Sequence, residues 1–397
     1  MLLSFFFRIF AEIFQRGAIM KTPFMYGVAA DAMHFTDREA ETRRLQLNFE
    51  NGINTIIISP RRWGKTSLVN KVADNMAGNK DCKLVRIDVF SVRTEEDFYQ
   101  LFATEIIKQT SSRIEEWLTN TRHFLSSLVP VMTPSSDPIN PVSLSLKSVG
   151  THYDEEVLNL PERIATEKGI HIVVCIDEFQ QIGELANSIT FQKKLRSVWQ
   201  HQHSVSYCLY GSKRHLLMNM FGNRSYPFYK FGDVLFLERI PVAYWQEYVR
   251  KRFEQTGKGI SDQLVEEIYS YVDGNSSYVQ QLCWLVWAHT QKSADAEILA
   301  EAKLDLLRQN HALFIEQINS LTSYQLRFVG AILAGKGSEI SHKAVIDEFG
   351  LGSSANIVTI KQALQKKEII DIEGKDIRFS DPIFSHWLRL NNHLLII

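Results

Sequence analysis

The chain has 397 residues, and its 44 Lys and Arg against 45 Asp and Glu leave a formal net charge of −1. This balance excludes a strongly basic protein that wraps nucleic acid, and it excludes an acidic disordered tail. Hydrophobic residues make up 45% and charged residues 22%, which is typical of a folded globular protein. The length exceeds what one hydrophobic core usually supports, so we expect two or three domains.

The N-terminal segment 1–19 carries an apolar cluster that Arg8 interrupts. No small-residue cleavage site follows, which argues against a signal peptide. A membrane-interface anchor is one alternative. We favour the other, an N-terminal extension that is either untranslated or disordered, with the working protein beginning at Met20. No stretch approaches the roughly 18–20 apolar residues of a membrane helix, so we expect no membrane partner.

The four cysteines are far apart and form no C-x-x-C pair; they are Cys82, Cys175, Cys208 and Cys283. Three of them lie in apolar runs, so we interpret them as small buried side chains rather than as metal ligands or disulfides. This usage fits a reducing compartment, and we expect a cytoplasmic protein.

From residue 53 to residue 237, apolar β-branched runs alternate with segments of helical periodicity, which predicts a parallel α/β sheet. The predicted strands are 53–59, 83–89, 170–176, 205–212 and 234–237. The predicted helices between them are 67–73, 94–108, 114–127, 161–168 and 190–202. The Pro- and Ser-rich segment 129–151, with a strand-like alternation at 142–146, is interpreted as an insertion on this core.

From Pro241 onward the strand signal disappears, and amphipathic helices fit 242–255, 261–272, 276–291 and 294–318. Beyond Leu321, helices at 323–334, 341–349 and 354–367 precede a predicted hairpin at 369–379. Three helices followed by a two-stranded wing are typical of a winged helix. We therefore predict an α/β core at 20–240, a helical lid at 241–320 and a winged-helix domain at 321–397.

A segment of the phosphate-binding type lies between the first predicted strand and the helix after it. It reads Ser59-Pro60-Arg61-Arg62-Trp63-Gly64-Lys65-Thr66 and is followed by Ser67. The pattern G-x-x-x-x-G-K-[ST] is met except at Ser59, where glycine is usual. Backbone N–H groups of such a loop hold phosphate, so we expect Lys65 to reach the β- and γ-phosphates and Thr66 to ligate Mg²⁺. A chance G-K-T sequence is the alternative, which the flanking strand and helix disfavour.

Two adjacent carboxylates, Asp177 and Glu178, follow the apolar strand 170–176. Open α/β sheets bind ligands at the carboxyl ends of their strands. We expect Asp177 to hold Mg²⁺ and Glu178 to act as the general base that activates water. A helix cap is the alternative for this pair alone, but the phosphate loop favours nucleotide chemistry.

These motifs resemble the archaeal-type ATPase family in the AAA+/STAND group of P-loop NTPases. The resemblance also rests on Phe35-Thr36-Asp37-Arg38-Glu39-Ala40-Glu41 and Ile176-Asp177-Glu178-Phe179-Gln180. It implies an α/β P-loop NTPase core with a parallel sheet, a helical lid and a C-terminal winged helix. It further implies that ATP is the nucleotide and that Phe35 and Arg38 flank its adenine.

The resemblance implies further roles beyond these motifs. Ser212, at the end of the fourth predicted strand, is placed like the sensor residue that reads the γ-phosphate, and a capping serine is the alternative. Arg214, Arg224 and Lys230 are candidates for the cation that stabilises the transition-state charge. A solvated surface charge is the alternative for each of the three.

We therefore expect a Mg²⁺-dependent ATP-binding protein that hydrolyses ATP slowly and acts as an intracellular molecular switch, with Lys65 and Glu178 as catalytic residues. One alternative is an ATP-controlled DNA-binding protein resembling origin-recognition ATPases, with Lys361, Lys366 and Lys367 on its recognition helix. Residues 321–397 carry nine Lys and Arg against eight Asp and Glu, so DNA is not favoured as a partner. Another alternative is a nucleotide-binding scaffold that recruits a protein partner or a second copy without hydrolysis.

Overall fold

The computed structural model describes residues 22–27, 35–111, 114–124, 128–134, 142–148 and 154–395. The predicted N-terminal extension 1–19 lies outside these residues. Contacts divide the chain into two compact units, which are Ala29–Ile240 and Pro241–Ile397 together with the N-terminal residues. Among the described residues, no helix combines the length and the apolar character needed to cross a membrane.

The described part of the chain contains nine strands. They are β1 (Thr55–Ile58), β2 (Cys82–Asp88), β3 (Leu128–Pro134), β4 (Val142–Ser148), β5 (His171–Asp177), β6 (Val205–Gly211), β7 (Asp233–Phe236), β8 (Ile370–Glu373) and β9 (Asp376–Phe379).

The described helices fall into two groups. Those of the first unit are α1 (Glu39–Glu50), α2 (Lys65–Asn75), α3 (Glu95–Thr110), α4 (Ile114–Phe124), α5 (Asp154–Leu158), α6 (Leu160–Lys168), α7 (Ser188–Trp199) and α8 (Arg214–Gly222), with a 3₁₀ helix at Phe179–Glu184. Those of the second unit are α9 (Val242–Glu254), α10 (Asp262–Tyr271), α11 (Ser276–His289), α12 (Ala296–Asn319), α13 (Ser323–Leu333), α14 (Lys343–Glu348), α15 (Ser354–Lys366) and α16 (Pro382–Leu390), with 3₁₀ helices at Gly337–Glu339 and Asn392–Leu395.

The first unit is built on a five-stranded sheet of order β2-β5-β6-β1-β7, in which every neighbouring pair is parallel. The predicted parallel α/β sheet is therefore confirmed. β6 lies between β1 and β5, so the strand that precedes the phosphate loop and the strand that ends in the carboxylates are not neighbours. All of these strands end at the same edge, which brings residues 59–66, 177–178 and 212 together.

The sheet is buried on both faces, as expected where helices cover a parallel sheet. Ile56 and Ile58 pack into the hydrophobic cluster on one face, and Ile57 packs into the cluster on the other. The three core cysteines Cys82, Cys175 and Cys208 belong to the second of these clusters and are buried. This two-sided burial explains why the strands are recognisable as short apolar runs.

The insertion differs from its prediction in extent. Within the described residues it contains an antiparallel hairpin, in which Leu128 of β3 is opposite Ser148 of β4. The alternation at 142–146 predicted only the second of these strands. The first was not predicted because Pro130 and Pro134 interrupt its pattern, and proline lacks the backbone donor that a central strand needs.

In the second unit, α9 to α12 precede α13 to α15 and the hairpin β8–β9, in the order predicted for a lid followed by a winged helix. The structure adds α16, which begins after the N-cap residue Asp381 and was not predicted. On α16, Trp387 is 2% exposed, donates from Nε1 to Nδ1 of His311 at 3.1 Å, and packs on Phe314 of α12. This aromatic contact joins the predicted lid and winged-helix segments into one compact unit.

The predicted core boundary at residue 20 also differs from the structure. Residues 22–27 belong to the second unit, because the ring of Phe24 packs between Tyr248 and Phe253 of α9 at centroid distances of 6.3 and 5.7 Å. Burial of this aromatic side chain (1% exposed) fixes the segment there.

Candidate functional site

The loop between β1 and α2 turns sharply at the carboxyl edge of the sheet. Its backbone takes left-handed angles at Arg62 (φ 67°) and Gly64 (φ 90°). A Cβ at Gly64 would meet no atom within 4 Å, so glycine is needed there for its backbone angle and not for space. No side chain caps the N-terminus of α2, where a helix attracts an anion.

Lys65 lies inside this loop and is 7% exposed. Its Nζ donates to the carbonyl oxygen of Pro60 at 3.0 Å, and to the carbonyl and hydroxyl oxygens of Ser59 at 3.3 and 3.4 Å. The ammonium group is therefore held by neutral oxygens of the loop itself. Phosphate oxygens make stronger, charge-assisted hydrogen bonds, so an anion in the loop can take these donors over. Ser59, which stands where glycine is usual, supplies two of these oxygens, one from its backbone and one from its side chain.

The first turn of α2 is joined to the end of β5. Thr66 Oγ1 donates to Asp177 Oδ2 at 2.9 Å, and the backbone N–H of Glu178 donates to Asp177 Oδ1 at 2.8 Å. Burial raises the pKa of Asp177 to about 6, and the two hydrogen bonds oppose this shift. The structure thus brings the predicted metal ligands Thr66 and Asp177 together.

Glu178 is held by two donors on one of its carboxylate oxygens. Ser212 Oγ donates to Glu178 Oε2 at 2.8 Å, and Gln180 Nε2 donates to the same oxygen. The backbone of Glu178 is left-handed, with φ 55°. The contact also brings the predicted sensor residue Ser212 to the predicted general base, across the ends of β5 and β6.

Two residues of this arrangement had no predicted role. Gln180 is 2% exposed, and its Oε1 is buried without a hydrogen-bond partner. At Gly211, the last residue of β6, a Cβ would lie 1.8 Å from Gln180 Oε1 and 3.2 Å from the Cα of Glu178. Glycine therefore makes room for the Gln180 amide. The sequence offers no signal for this requirement, since one glycine at a strand end has many explanations.

Thr66 and Asp177 fit a divalent cation by their chemistry. Both offer oxygen atoms, the ligands that hard cations prefer, and a cation would offset the burial that disfavours the Asp177 carboxylate. In the described part of the chain, no three His, Cys, Asp or Glu side chains cluster so that they could hold a metal. This pair alone suits an ion that keeps several water molecules and also binds phosphate oxygens.

Arg38 contacts the main chain of the phosphate loop. Its Nη2 donates to the carbonyl oxygen of Trp63 at 3.1 Å and to that of Glu238 at 2.9 Å, while its Nη1 pairs with Glu41 Oε1 at 2.9 Å. The side chain is 3% exposed. The guanidinium is directed at main-chain carbonyls, and its predicted place beside an adenine stays a prediction.

Phe35 packs against the same hydrophobic cluster as α1 and α2. It also lines an open cleft of about 520 Å³ between these helices, together with Asp37, Thr42, Leu47 and Lys71. The part of α2 that lines this cleft is its C-terminal half, and the predicted contact of Phe35 with a base stays a prediction.

The three candidate cations lie in different places. Arg214 is the first residue of α8, directly after β6, and lies at the carboxyl edge with Ser212. Arg224 and Lys230 lie on the connection from α8 to the amino end of β7, which begins at Asp233 opposite Thr55. Arg214 therefore lies three residues beyond β6 and Lys230 three residues before β7, and the roles of all three cations stay predictions.

Comparisons with known proteins agree with this architecture. A family described as the ATPase domain predominantly from Archaea matches residues 35–282. No curated protein matches the chain significantly. The Walker-type ATPase of Pyrococcus abyssi superposes with a TM-score of 0.59 at 17% identity, covering 90% of this chain and 97% of that one. The ORC2 protein of Aeropyrum pernix, solved as ADPNP–ADP complexes, gives a TM-score of 0.52 at 14% identity, covering 94% and 98%. At these identities the likeness is one of fold, and it confirms the predicted P-loop NTPase core with a helical C-terminal region.

Proposed function

Because this chain belongs to the family of ATPase domains found predominantly in Archaea, we propose that it binds Mg²⁺-ATP in the loop 59–66, hydrolyses it slowly, and acts as a molecular switch in the cytoplasm. The observation that carries this proposal is the hydrogen bond between Thr66 and Asp177. It joins the phosphate loop to the strand-end carboxylates, at 2.9 Å between Oγ1 and Oδ2.

Each residue has a distinct part in this proposal. The N–H groups of the loop and the N-terminus of α2 bind the phosphates, and Lys65 exchanges its loop carbonyls for β- and γ-phosphate oxygens. Thr66 and Asp177 would hold Mg²⁺, which supplies charge neutralisation on the phosphate oxygens when it is bound. Glu178, with Oε2 occupied by Ser212 and Gln180, accepts a proton from the attacking water through Oε1.

We infer slow turnover because the sequence offers only candidates, and no identified residue, for the cation that stabilises the transition-state charge. A cation placed on the transferring phosphoryl group accelerates hydrolysis by about 10³- to 10⁵-fold. Arg214 begins α8 two residues after Ser212, and its role, like those of Arg224 and Lys230, stays a prediction. A slow intrinsic rate suits a switch, because each nucleotide state then persists long enough to be read by a partner.

The test is a calorimetric titration of Mg²⁺-ATP into the full chain and into Lys65→Ala. The matched control is Lys80→Ala, because Lys80 is exposed beyond the end of α2. We expect micromolar binding, weakened about 10- to 100-fold or more in Lys65→Ala and unchanged in the control. If the folded wild-type protein binds no nucleotide, the proposal fails and a scaffold role replaces it.

A second experiment separates ATP binding from ATP hydrolysis by measuring both in one variant. Glu178→Gln keeps the shape of the side chain and removes the base, so we expect ATP binding to persist while phosphate release falls by about 10²-fold or more. Unchanged phosphate release would remove Glu178 from its assigned role. Binding without release in the wild-type protein would favour the scaffold that does not hydrolyse.

A further inference from the structure

Arg38 is a charged side chain in an interior position. It is 3% exposed, and its backbone is left-handed (φ 66°) at the residue before α1 begins. Charged groups are rarely buried unless they are paired and hydrogen-bonded. Burial lowers the pKa of Arg38, and the pairing with Glu41 opposes that shift. The position therefore carries a cost in solvation that its contacts must offset.

Those contacts connect three places in the first unit. One nitrogen, Nη2, donates to the carbonyl of Trp63 in the phosphate loop at 3.1 Å and to the carbonyl of Glu238, just after β7, at 2.9 Å. The other, Nη1, pairs with Glu41 on α1. A single planar guanidinium thus fixes one peptide group of the loop relative to the end of the sheet.

The peptide it holds is the one between Trp63 and Gly64. Because a trans peptide is planar, its C=O and N–H point in opposite directions. Because the Trp63 carbonyl accepts from Arg38, the N–H of Gly64 points away from Arg38. Glycine at Gly64 tolerates either sign of φ, so the backbone itself does little to select this orientation.

We propose that Arg38 is a positioning residue for phosphate binding, which keeps the Trp63–Gly64 peptide oriented with its N–H towards the anion. Without it, the peptide can turn its carbonyl oxygen towards the phosphates, where that oxygen repels them. This inference rests on the proposed nucleotide site and assigns it a residue that does not contact the ligand.

A purely mechanical attachment of α1 to the sheet is the competing explanation, and the chain offers a matched control for it. Arg44, also on α1, binds the carboxylate of Asp233 at the start of β7, with Nε to Oδ2 at 2.9 Å. Arg44→Gln removes a contact between α1 and β7 without touching the phosphate loop. Glu41→Gln removes the ion pair of Arg38 and keeps both of its carbonyl contacts.

The experiment measures the dissociation constant of Mg²⁺-ADP for the full chain and for Arg38→Lys, Arg38→Gln, Arg44→Gln and Glu41→Gln. Each variant is first shown to be folded by its thermal unfolding. We expect both Arg38 variants to bind ADP about 10- to 100-fold more weakly, since a lysine cannot reproduce the fork, while the two controls stay within about threefold.

A second readout needs no nucleotide. Hydrogen–deuterium exchange of the free protein should become faster in the peptide spanning residues 59–66 of Arg38→Lys, with α1 unchanged. Wild-type affinity in folded Arg38→Lys, or an equal loss in Arg44→Gln, would overturn the proposal. If Arg38→Gln does not fold, Arg38→Lys decides. If the wild-type protein binds no ADP, the proposed nucleotide site is wrong. The exchange of residues 59–66 still tests whether Arg38 orders the loop, because that measurement needs no nucleotide.

Discussion

Thr66 Oγ1 lies 2.9 Å from Asp177 Oδ2, although β6 separates the strands that lead to these two residues. The hydrogen bond spans the sheet edge from the start of α2 to the end of β5. The carboxylate of Asp177 is half-buried, and it accepts hydrogen bonds from the Thr66 hydroxyl and from the backbone N–H of Glu178. The protonation of this carboxylate therefore affects the stability of the fold.

The first prediction concerns Asp177→Asn in the absence of nucleotide and magnesium. The pKa of Asp177 is raised to about 6, so the folded protein binds this proton more tightly than the unfolded chain does. Stability is therefore lost as the pH rises from about 4 to above 6, by up to about 3 kcal/mol. We expect Asp177→Asn to be more stable than wild type in urea unfolding, with a gain about 2 kcal/mol larger at pH 8 than at pH 4.5.

Asp233 is a control, because its pKa is shifted in the opposite direction. Hydrogen bonding from Arg44 lowers the pKa of Asp233, so its stabilising contribution is present at neutral pH and lost as the pH falls through its folded-state pKa. Asp233→Asn should therefore destabilise the protein at pH 8 and have less effect at pH 4.5. Loss of stability at pH 8 in Asp177→Asn would show that this carboxylate is not penalised by burial.

The second prediction concerns Gly211→Ala. The added Cβ would lie 1.8 Å from Gln180 Oε1, so the Gln180 amide must move and release Glu178. We expect phosphate release to fall by about 10²-fold while ATP affinity changes by less than about threefold. Gly183→Ala is the matched control, because Gly183 lies in the 3₁₀ helix that carries Gln180 and its Cβ would meet only Met220 Sδ, at 3.4 Å. Equal turnover in Gly211→Ala and wild type would contradict the orienting role.

The third prediction concerns DNA. Lys361 of α15 donates from Nζ to Ser341 Oγ at 3.3 Å. Lys367, which follows α15, donates from Nζ to the carbonyl of Ser320 at 2.5 Å, so two of the three lysines contact the protein itself. We expect no duplex binding at low salt in an anisotropy assay. Binding that weakens with salt and disappears when Lys361, Lys366 and Lys367 become Glu would reverse this conclusion and favour the DNA-binding alternative.

The fourth prediction concerns the second unit. Trp387→Ala removes a buried ring that packs on Phe314 of α12, so we expect a loss of about 3–5 kcal/mol. Because this contact joins α12 to α16, hydrogen exchange should accelerate in both helices together. Leu390→Ala, one turn later and 63% exposed, should cost less than about 0.5 kcal/mol. Acceleration confined to α16 would show that the two segments unfold independently.

The sheet could be predicted because its central strands β1, β5 and β6 are short apolar runs that are almost entirely buried. β5 begins and ends one residue later than predicted, and β6 ends one residue earlier. The helix α16 was missed although Asp381 and Pro382 form an N-cap followed by proline, a readable start signal. The helix α8 was also not predicted; only Leu217, Met220 and Phe221 of its nine residues are buried, so its apolar pattern is short.

The candidate site, too, could be predicted only in part. Lys65, Thr66, Asp177 and Glu178 carry chemistry in their own side chains, so their spacing along the sequence reveals them. The contacts of Arg38 could not be predicted, because two of its three acceptors are backbone carbonyls, which every residue possesses. The room that Gly211 leaves for Gln180 depends on which strand lies beside β5, and strand order is not written in any local pattern.

The buried cysteines give the protein its own reporter of local opening. Alkylating reagents attack the thiolate, and burial raises the pKa of Cys82 to about 11 and that of Cys283 well above its usual range. Labelling must therefore wait until the surrounding structure opens. Cys82, Cys175 and Cys208 report on the sheet, whereas Cys283 on α11 reports on the second unit. A nucleotide bound only to the first unit should slow modification of the first three and leave the fourth unchanged, so mass spectrometry of labelled peptides can follow ligand binding one unit at a time.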